Sequence, residues 1–514
     1  MAIQLPIVFV ERMRELLGEE FAAFLASYEE PRYAGIRMNA LKIGEAAFRE
    51  WIPYELRPIP WCETGYYVDE GIKPGKHPYY HAGLYYIQEP SAMAPVELLQ
   101  VASGDRVLDL CAAPGGKSTQ IAGKLQGTGV LVTNDVHAER TKALAKNIEL
   151  SGVRNAVVLN ESPERIAKFF PHFFDKILID APCSGEGMFR KDEDMARLWE
   201  PDWTLKYAGM QREILSSAAA MLAPGGRIVY STCTFAPEEN EMMIAEFLLS
   251  HPEFQVIPLA RDSGIAPGRP DWLGRQENGQ AFPLDVARQT AGCGRLWPHQ
   301  AAGEGHFFAV LERIEGRERL IKAEKTINIT EEDEVQTSTR GRRTPRPVRR
   351  SRHAAGAQDG SDRHQVNEQD VLESWYGFAR EQLAASLTGE PLLYGGNVYL
   401  SPLTKERLNG LKVVRPGWYV GTAKSGRFIP GHPLATALRI EEAVRVLNLS
   451  GEADEAVRYL KGETLAVEAE RIQCREGVGL KGYTLVAVDG YALGWSKWQD
   501  GLLKNEYPAG WRWT

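Results

Sequence analysis

Disulfide chemistry is the first thing the sequence lacks. Six cysteines lie at uneven spacing over 514 residues, too scattered for a disulfide framework. None forms a CxxC pair, so neither a thiolate zinc site nor any other metal is expected. Long apolar runs are missing too: charge or glycine breaks each one well short of the roughly 18 residues of a membrane span. The opening MAIQLPIVFVERMREL has no basic leader and meets acid quickly, unlike a signal peptide. These absences point to a cytoplasmic protein with no membrane partner, and a monomer is the expected state. An excess of positive charge is also lacking. The net charge of -8 argues on average against nucleic acid. That average conceals RGRRTPRPVRRSR at 340–352, with seven arginines and no acid.

What is present is a change of pattern along the chain. Residues 1–76 suit a small mixed domain, with a helical stretch PIVFVERMRELLGEEFAAFLASY and a strand YAGIRMNALKI. From DRVLDLCA onward, apolar strands alternate with helical stretches through GVLVTND, NAVVLN, DKILIDA and GRIVYST to HFFAVLER. That alternation predicts an α/β domain, doubly wound on a mainly parallel sheet, over 77–314. Residues 315–370 are polar and poor in aromatics, and suit a basic flexible linker. Globular patterning returns at VLESWYGFAREQL, and we divide it into 371–440 and 441–514.

VLDLCAAPGGKS places a glycine loop between a strand and a helix. Every α/β protein has tight turns of this kind. Here Gly115 and Gly116 also stand where a ligand could meet backbone donors at a helix start. The loop matches neither the dinucleotide fingerprint nor the P-loop. Asp135, closing the next strand, suits the two hydroxyls of a ribose. Asp109 and Asp180 at neighbouring strand ends make the crevice acidic. A cationic nucleoside such as S-adenosylmethionine fits that better than a dinucleotide.

Two cysteines also end strands on this edge, Cys183 in DAPCSG and Cys233 in YSTCTF. Buried cysteines are usually inert, which covers Cys62, Cys293 and Cys474. A thiolate beside a methyl donor suits methylation of a pyrimidine at carbon 5. Sulfur adds to carbon 6, carbon 5 becomes enamine-like and takes the methyl group, then the proton and sulfur leave. An acid at N3 assists, and Asp180 is three residues from Cys183. A carboxyl that donates there needs a raised pKa. Chemistry alone does not say which thiol attacks.

DLCAAPGGKSTQIA, DAPCSGEGMFRKD and YSTCTFAPEENE resemble the three signature motifs of the Sun family of RNA (cytosine-C5) methyltransferases. IRMNALK, with Arg37 and Asn39, is similar to the family's N-terminal motif, LYYIQEPSAM to its pre-methyltransferase motif, and RLWPHQAAGEGHFFAVLER to its last strand pair. The resemblance implies a Rossmann-like class I SAM-dependent methyltransferase core behind a small N-terminal α+β domain of RNA-binding type. It makes Cys233 the nucleophile, Cys183 the thiol that assists release, and Asp180 the acid that contacts the base. It implies cofactor contacts from Cys111, Ala112, Ala113, Pro114, Gly115, Gly116, Lys117, Asp135 and Asp180. The family usually has an aspartate on the adenine side. This chain has VLNESPER there, so Glu161 or Ser162 takes that place.

The C-terminal region resembles the extension of RsmF-type enzymes, which modify the decoding region of small-subunit rRNA. Its end, GWSKWQDGLLKNEYPAGWRWT, resembles a PUA-like RNA-binding module over 441–514. Most of its tryptophans suit a packed β-core, which leaves Lys497, Lys504 and Arg512 as RNA candidates. The arginine run is either a solubilising linker or an arm that grips phosphates. The expected substrate is small-subunit rRNA or the 30S particle. Alternatives are tRNA and a non-catalytic, SAM-binding ribosome-assembly factor.

Overall fold

The computed structural model describes residues 4–260, 264–276, 279–314 and 368–513. The arginine run at 340–352 and most of the expected linker lie outside the described residues.

The N-terminal sheet contains β1 (Ala34–Met38), β2 (Arg57–Ile59), β3 (Cys62–Val68) and β4 (Tyr85–Ile87), antiparallel in the order β2-β3-β1-β4. Its last strand comes from beyond residue 76, because Tyr85–Ile87 pairs with β1.

The central sheet starts from β5 (Arg106–Asp109), β6 (Val130–Asn134), β7 (Ala156–Leu159), β8 (Phe174–Asp180) and β9 (Leu222–Thr232). These five are mutually parallel in the order β7-β6-β5-β8-β9. Their middles, such as Val107–Leu108, Val157–Val158 and Ile177–Ile179, are fully buried. Burial on both faces explains why they read as continuous apolar runs rather than alternating ones. The chain runs outward from β5 to β7 and then returns to lay β8 against the other side of β5. That reversal opens a crevice at the carboxyl ends of the strands, where open α/β sheets bind ligands. Beyond β9 follow β10 (Phe254–Val256), β11 (Ala266–Pro267), β12 (Gly294–Leu296) and β13 (His306–Arg313), with β13 antiparallel to β9.

The C-terminal part adds a four-stranded and a six-stranded sheet. It also sends one short strand, Val413–Arg415, to pair antiparallel with β7 at the edge of the central sheet. The six-stranded sheet shares a core with the N-terminal sheet. Ile36, Phe48, Tyr66 and Tyr85 pack in one cluster with Leu447, Leu460, Val486 and Leu503. Among the described residues no helix is long and apolar enough to cross a membrane.

Candidate active site

β8 and β9 run in register, with Asp180 opposite Ser231, so the loops that follow them leave the sheet side by side. This brings Cys183 and Cys233 together, their Sγ atoms 3.3 Å apart. Both are free thiols. A disulfide would need about 2.05 Å, so this is a non-bonded contact. The Cys233 N–H also donates to Cys183 Sγ at 3.4 Å. That N–H favours the thiolate, but the contact between the two thiols, burial and the Glu239 carboxyl outweigh it and hold the Cys183 thiol well above the ordinary thiol range.

Two buried acids tie the loops together. Glu239 accepts the Ser184 N–H at 3.0 Å and Gln211 Nε2 at 2.9 Å. Glu186 accepts Thr234 Oγ1 at 3.0 Å and the Phe235 N–H at 3.2 Å. Burial raises the Glu239 carboxyl to about 8, so it stays largely protonated at neutral pH. The Gly187 N–H donates to the Cys233 carbonyl at 2.9 Å. A Cβ there would meet the Gly305 carbonyl oxygen at 2.5 Å. The small residues after Cys183 thus let the second thiol's own loop approach. The sequence reading had no role for these acids. The available signal was acidic residues three and six positions after two strand-end cysteines.

Asp180 departs from expectation. Burial alone would raise its carboxyl, but Lys117, His306 and the Ser231 hydroxyl outweigh that and hold it below the usual range. Lys117 Nζ lies 2.7 Å from one carboxylate oxygen, and Ser231 Oγ 2.9 Å from the other. Asp180 is therefore ionised here, and the proton nearest to it is on an ammonium.

The glycine loop is shaped by its neighbours. Gly115 has φ 110°, in the region that favours glycine, and opens the helix Gly116–Leu125. A Cβ on Gly115 would meet Leu144 at 3.1 Å, and one on Gly116 would meet Tyr86 at 3.0 Å. Both glycines are thus closely packed against neighbouring side chains, and Gly116 also lines the cleft. Arg37 donates to Gln88 and to Thr119 Oγ1, and Asn39 Nδ2 donates to the Gly83 and Ser151 carbonyls. The N-terminal motif thereby clamps its sheet onto the loop helix.

A cleft of about 800 Å³ covers this edge. Asp109, Cys111, Ala112, Ala113, Pro114, Gly116, Lys117, Asp180 and Cys233 line it, with Tyr86 to Glu89 of the N-terminal part forming a wall and His306 on the β13 side. Asp109 accepts Ser118 Oγ at 2.6 Å, while its Oδ1 is buried with no partner among the described residues. Burial raises this carboxyl to about 7. Asp135 accepts the Ala113 and His137 N–H groups and pairs with Arg140 at 3.4 Å, just behind the lining. Glu161 and Ser162 do not line the cleft. Glu161 accepts the Lys412 N–H at 2.7 Å and Arg165 at 3.2 Å, so its carboxylate engages the C-terminal part. Ser162 is exposed at the start of the helix Pro163–Phe169. A second cavity, of about 770 Å³, sits where the N-terminal, central and C-terminal parts meet, and no cysteine lines it.

The tail tryptophans are packed. Trp495 Nε1 donates to the Gly431 carbonyl, Trp498 Nε1 to the Val467 carbonyl, and Trp513 stacks on His81 with centroids 5.0 Å apart. Lys504 and Arg512 are exposed, while Lys497 pairs with Glu506 at 3.5 Å.

Comparison with known proteins covers the same segments. The family model of 16S rRNA methyltransferase RsmB/F matches residues 96–312, and that of the RsmF N-terminal domain matches 5–90. The RsmF first C-terminal domain matches 377–438, and the RsmF PUA domain 446–513. Ribosomal RNA small subunit methyltransferase F of Vibrio campbellii is 31% identical over 517 residues, covering 98% of this chain and 97% of its own. The protein of the same name from Escherichia fergusonii is 41% identical over 327 residues, covering 61% and 64%. Among solved structures, a methyltransferase homolog from Pyrococcus horikoshii matches with a TM-score of 0.51 and 28% identity, over 61% of this chain and 96% of that one.

Proposed function

Because the chain belongs to the RsmB/F family of 16S rRNA methyltransferases, we propose that it methylates cytosine carbon 5 in the decoding region of 16S rRNA through a covalent Cys233–C6 adduct. The observation that carries this reading is the pair of thiols 3.3 Å apart at two adjacent strand ends. A non-catalytic assembly factor would need neither thiol, nor the buried acids that position them.

The cleft fits a cationic nucleoside. Asp109 has an unpaired buried oxygen, and an incoming positive charge would favour its ionised form. Asp135 is the acceptor for ribose hydroxyls, and residues 111–117 form the cradle. S-adenosylmethionine, when bound, supplies the electrophilic methyl group.

This chain's own residues do the rest. Cys233 gives up its thiol proton to solvent as its sulfur adds to carbon 6, and ring nitrogen N3 gains a proton. The Lys117 ammonium, oriented by Asp180, is the donor to N3. The adduct must later break, and Cys183 suits that step as an acid. Its thiol is held protonated, 3.3 Å from the sulfur that has to leave. Lys504 and Arg512 are the candidates for phosphate contacts on the PUA-like part.

Bisulfite sequencing of total RNA with and without this protein tests the reading. One or more 16S cytosines should lose protection in its absence. Unchanged 16S rRNA with a lost tRNA site would move the substrate to tRNA, and no change in any RNA would remove the activity.

A further inference from the structure

A protonated Cys183 leaves one step without an agent, because something must take the proton from carbon 5. We propose that His306 is this base; the inference rests on the cytosine-C5 reading.

Three observations converge on it. The first is position. β13 pairs with β9 through Phe308–Ser231 and Phe307–Thr232, where the ladder ends, so His306 and Cys233 are each the next residue beyond the last pair. His306 also lines the cleft that holds Cys233 and Asp180.

The second is the tautomer. His306 Nδ1 lies 2.9 Å from Ser91 Oγ. Ser91 has a single hydroxyl proton, which goes to the Glu89 carboxylate. Glu89 also accepts the Ser91, Ala92 and Glu304 N–H groups, so it acts as an acceptor throughout. Ser91 must then accept from His306, and Nδ1 carries the ring proton. Nε2 keeps its lone pair and has no hydrogen-bond partner among the described residues.

The third is charge. Burial lowers His306 to about 4, so the ring is neutral at working pH and its Nε2 is unprotonated. Lys117 and Lys191 oppose the protonated form, while Glu89 and Asp180 favour it. The Nδ1–H···Ser91···Glu89 chain would steady the imidazolium once it forms.

The step balances. The C5–H bond breaks and its electron pair forms the C5–C6 double bond. The C6–S bond breaks and its pair returns to Cys233, which takes the Cys183 thiol proton. The C5 proton ends on His306 Nε2, the imidazolium then reprotonates Cys183 through solvent, and N3 gives back to Lys117 the proton it took on addition.

The test uses the full chain with His306→Gln and two RNA substrates. On RNA carrying 5-fluorocytosine, where no proton can leave carbon 5, His306→Gln and the parent should form the SAM-dependent covalent complex to equal extents. This also shows that the variant folds and attacks. On RNA tritiated at cytosine carbon 5, His306→Gln should release tritium about 100-fold more slowly and accumulate the covalent complex, a loss typical of a removed general base. Imidazole should partly restore release by His306→Ala. Tritium release at the parental rate would overturn the proposal. So would failure of His306→Gln to form the 5-fluorocytosine complex when the parent does. If the parent itself forms no such complex, the cytosine-C5 reading fails, and this inference with it.

Discussion

Replacing Lys117 by Met removes the partner of a partly buried carboxylate. The Nζ–O distance is 2.7 Å, and the Asp180 side chain is 33% exposed. At an effective dielectric of about 20 this attraction is ~6 kcal/mol. Solvent at the exposed third roughly halves it, to ~3 kcal/mol. If the pair serves N3 in the transition state, kcat should fall by about a hundredfold, at the lower end of the range for losing a general acid. The pH profile should move as well. Asp180 is held below the usual carboxylate range, so the intact pair persists at neutral pH and is lost only as pH falls through that depressed value. Without Lys117 burial is opposed more weakly, by His306 and the Ser231 hydroxyl, and the acid limb of activity should shift toward neutrality. The assay is single-turnover methyl transfer to a 16S fragment between pH 5 and 8, with SAM affinity measured by calorimetry. Activity within threefold of the parent, or an acid limb that stays in place, would refute the reasoning. An equal hundredfold loss of SAM affinity would instead make Lys117 a cofactor contact.

Other outcomes follow from the same geometry. Cys183→Ala should accumulate a denaturant-resistant, SAM-dependent protein–RNA band on a gel, whereas Cys233→Ala and the double variant should show none; the reverse pattern would exchange the two roles. Asp135→Ala should weaken SAM binding by ~1.5–3 kcal/mol, the worth of a hydrogen bond to a charged acceptor, as read by calorimetry. Arg295→Met should destabilise the fold by ~3–5 kcal/mol in urea unfolding, because Arg295 and Glu241 form a fully buried pair and the variant leaves the carboxylate without a charged partner. Replacing the seven arginines of 340–352 by Ser should flatten the salt dependence of RNA binding if they grip phosphates, and leave it unaltered if they only solubilise.

The parallel strands were legible because burial on both faces leaves continuous apolar runs, and strand-end residues such as Asp109, Asp180 and Cys233 could then be placed on one edge. Other features depend on contacts distant in sequence. Apolar spacing shows that Phe48 and Tyr66 face a core, but not that Leu447 and Leu503 complete it. Three residues of strand at Val413–Arg415 are too short to announce a place in a sheet. Glu161 looked available for adenine because nothing local reveals the Lys412 N–H that it accepts. The ionisation of Asp180 turned on Lys117, 63 positions earlier, and the protonation of Glu239 on how deeply it is buried.

The pairing of Val413–Arg415 with β7 has a consequence for how the protein is made. Leu159 emerges from the ribosome about 250 residues before Val413, which is roughly 10 to 50 s at ordinary synthesis rates. Throughout that interval a nascent methyltransferase core would carry β7 with its outer backbone groups unsatisfied, a template for pairing with another chain. The finished enzyme hides this hazard, but a prematurely terminated one would not. Nonsense or frameshift products ending before residue 413 should therefore accumulate as aggregates, even though every residue of the cleft has been translated.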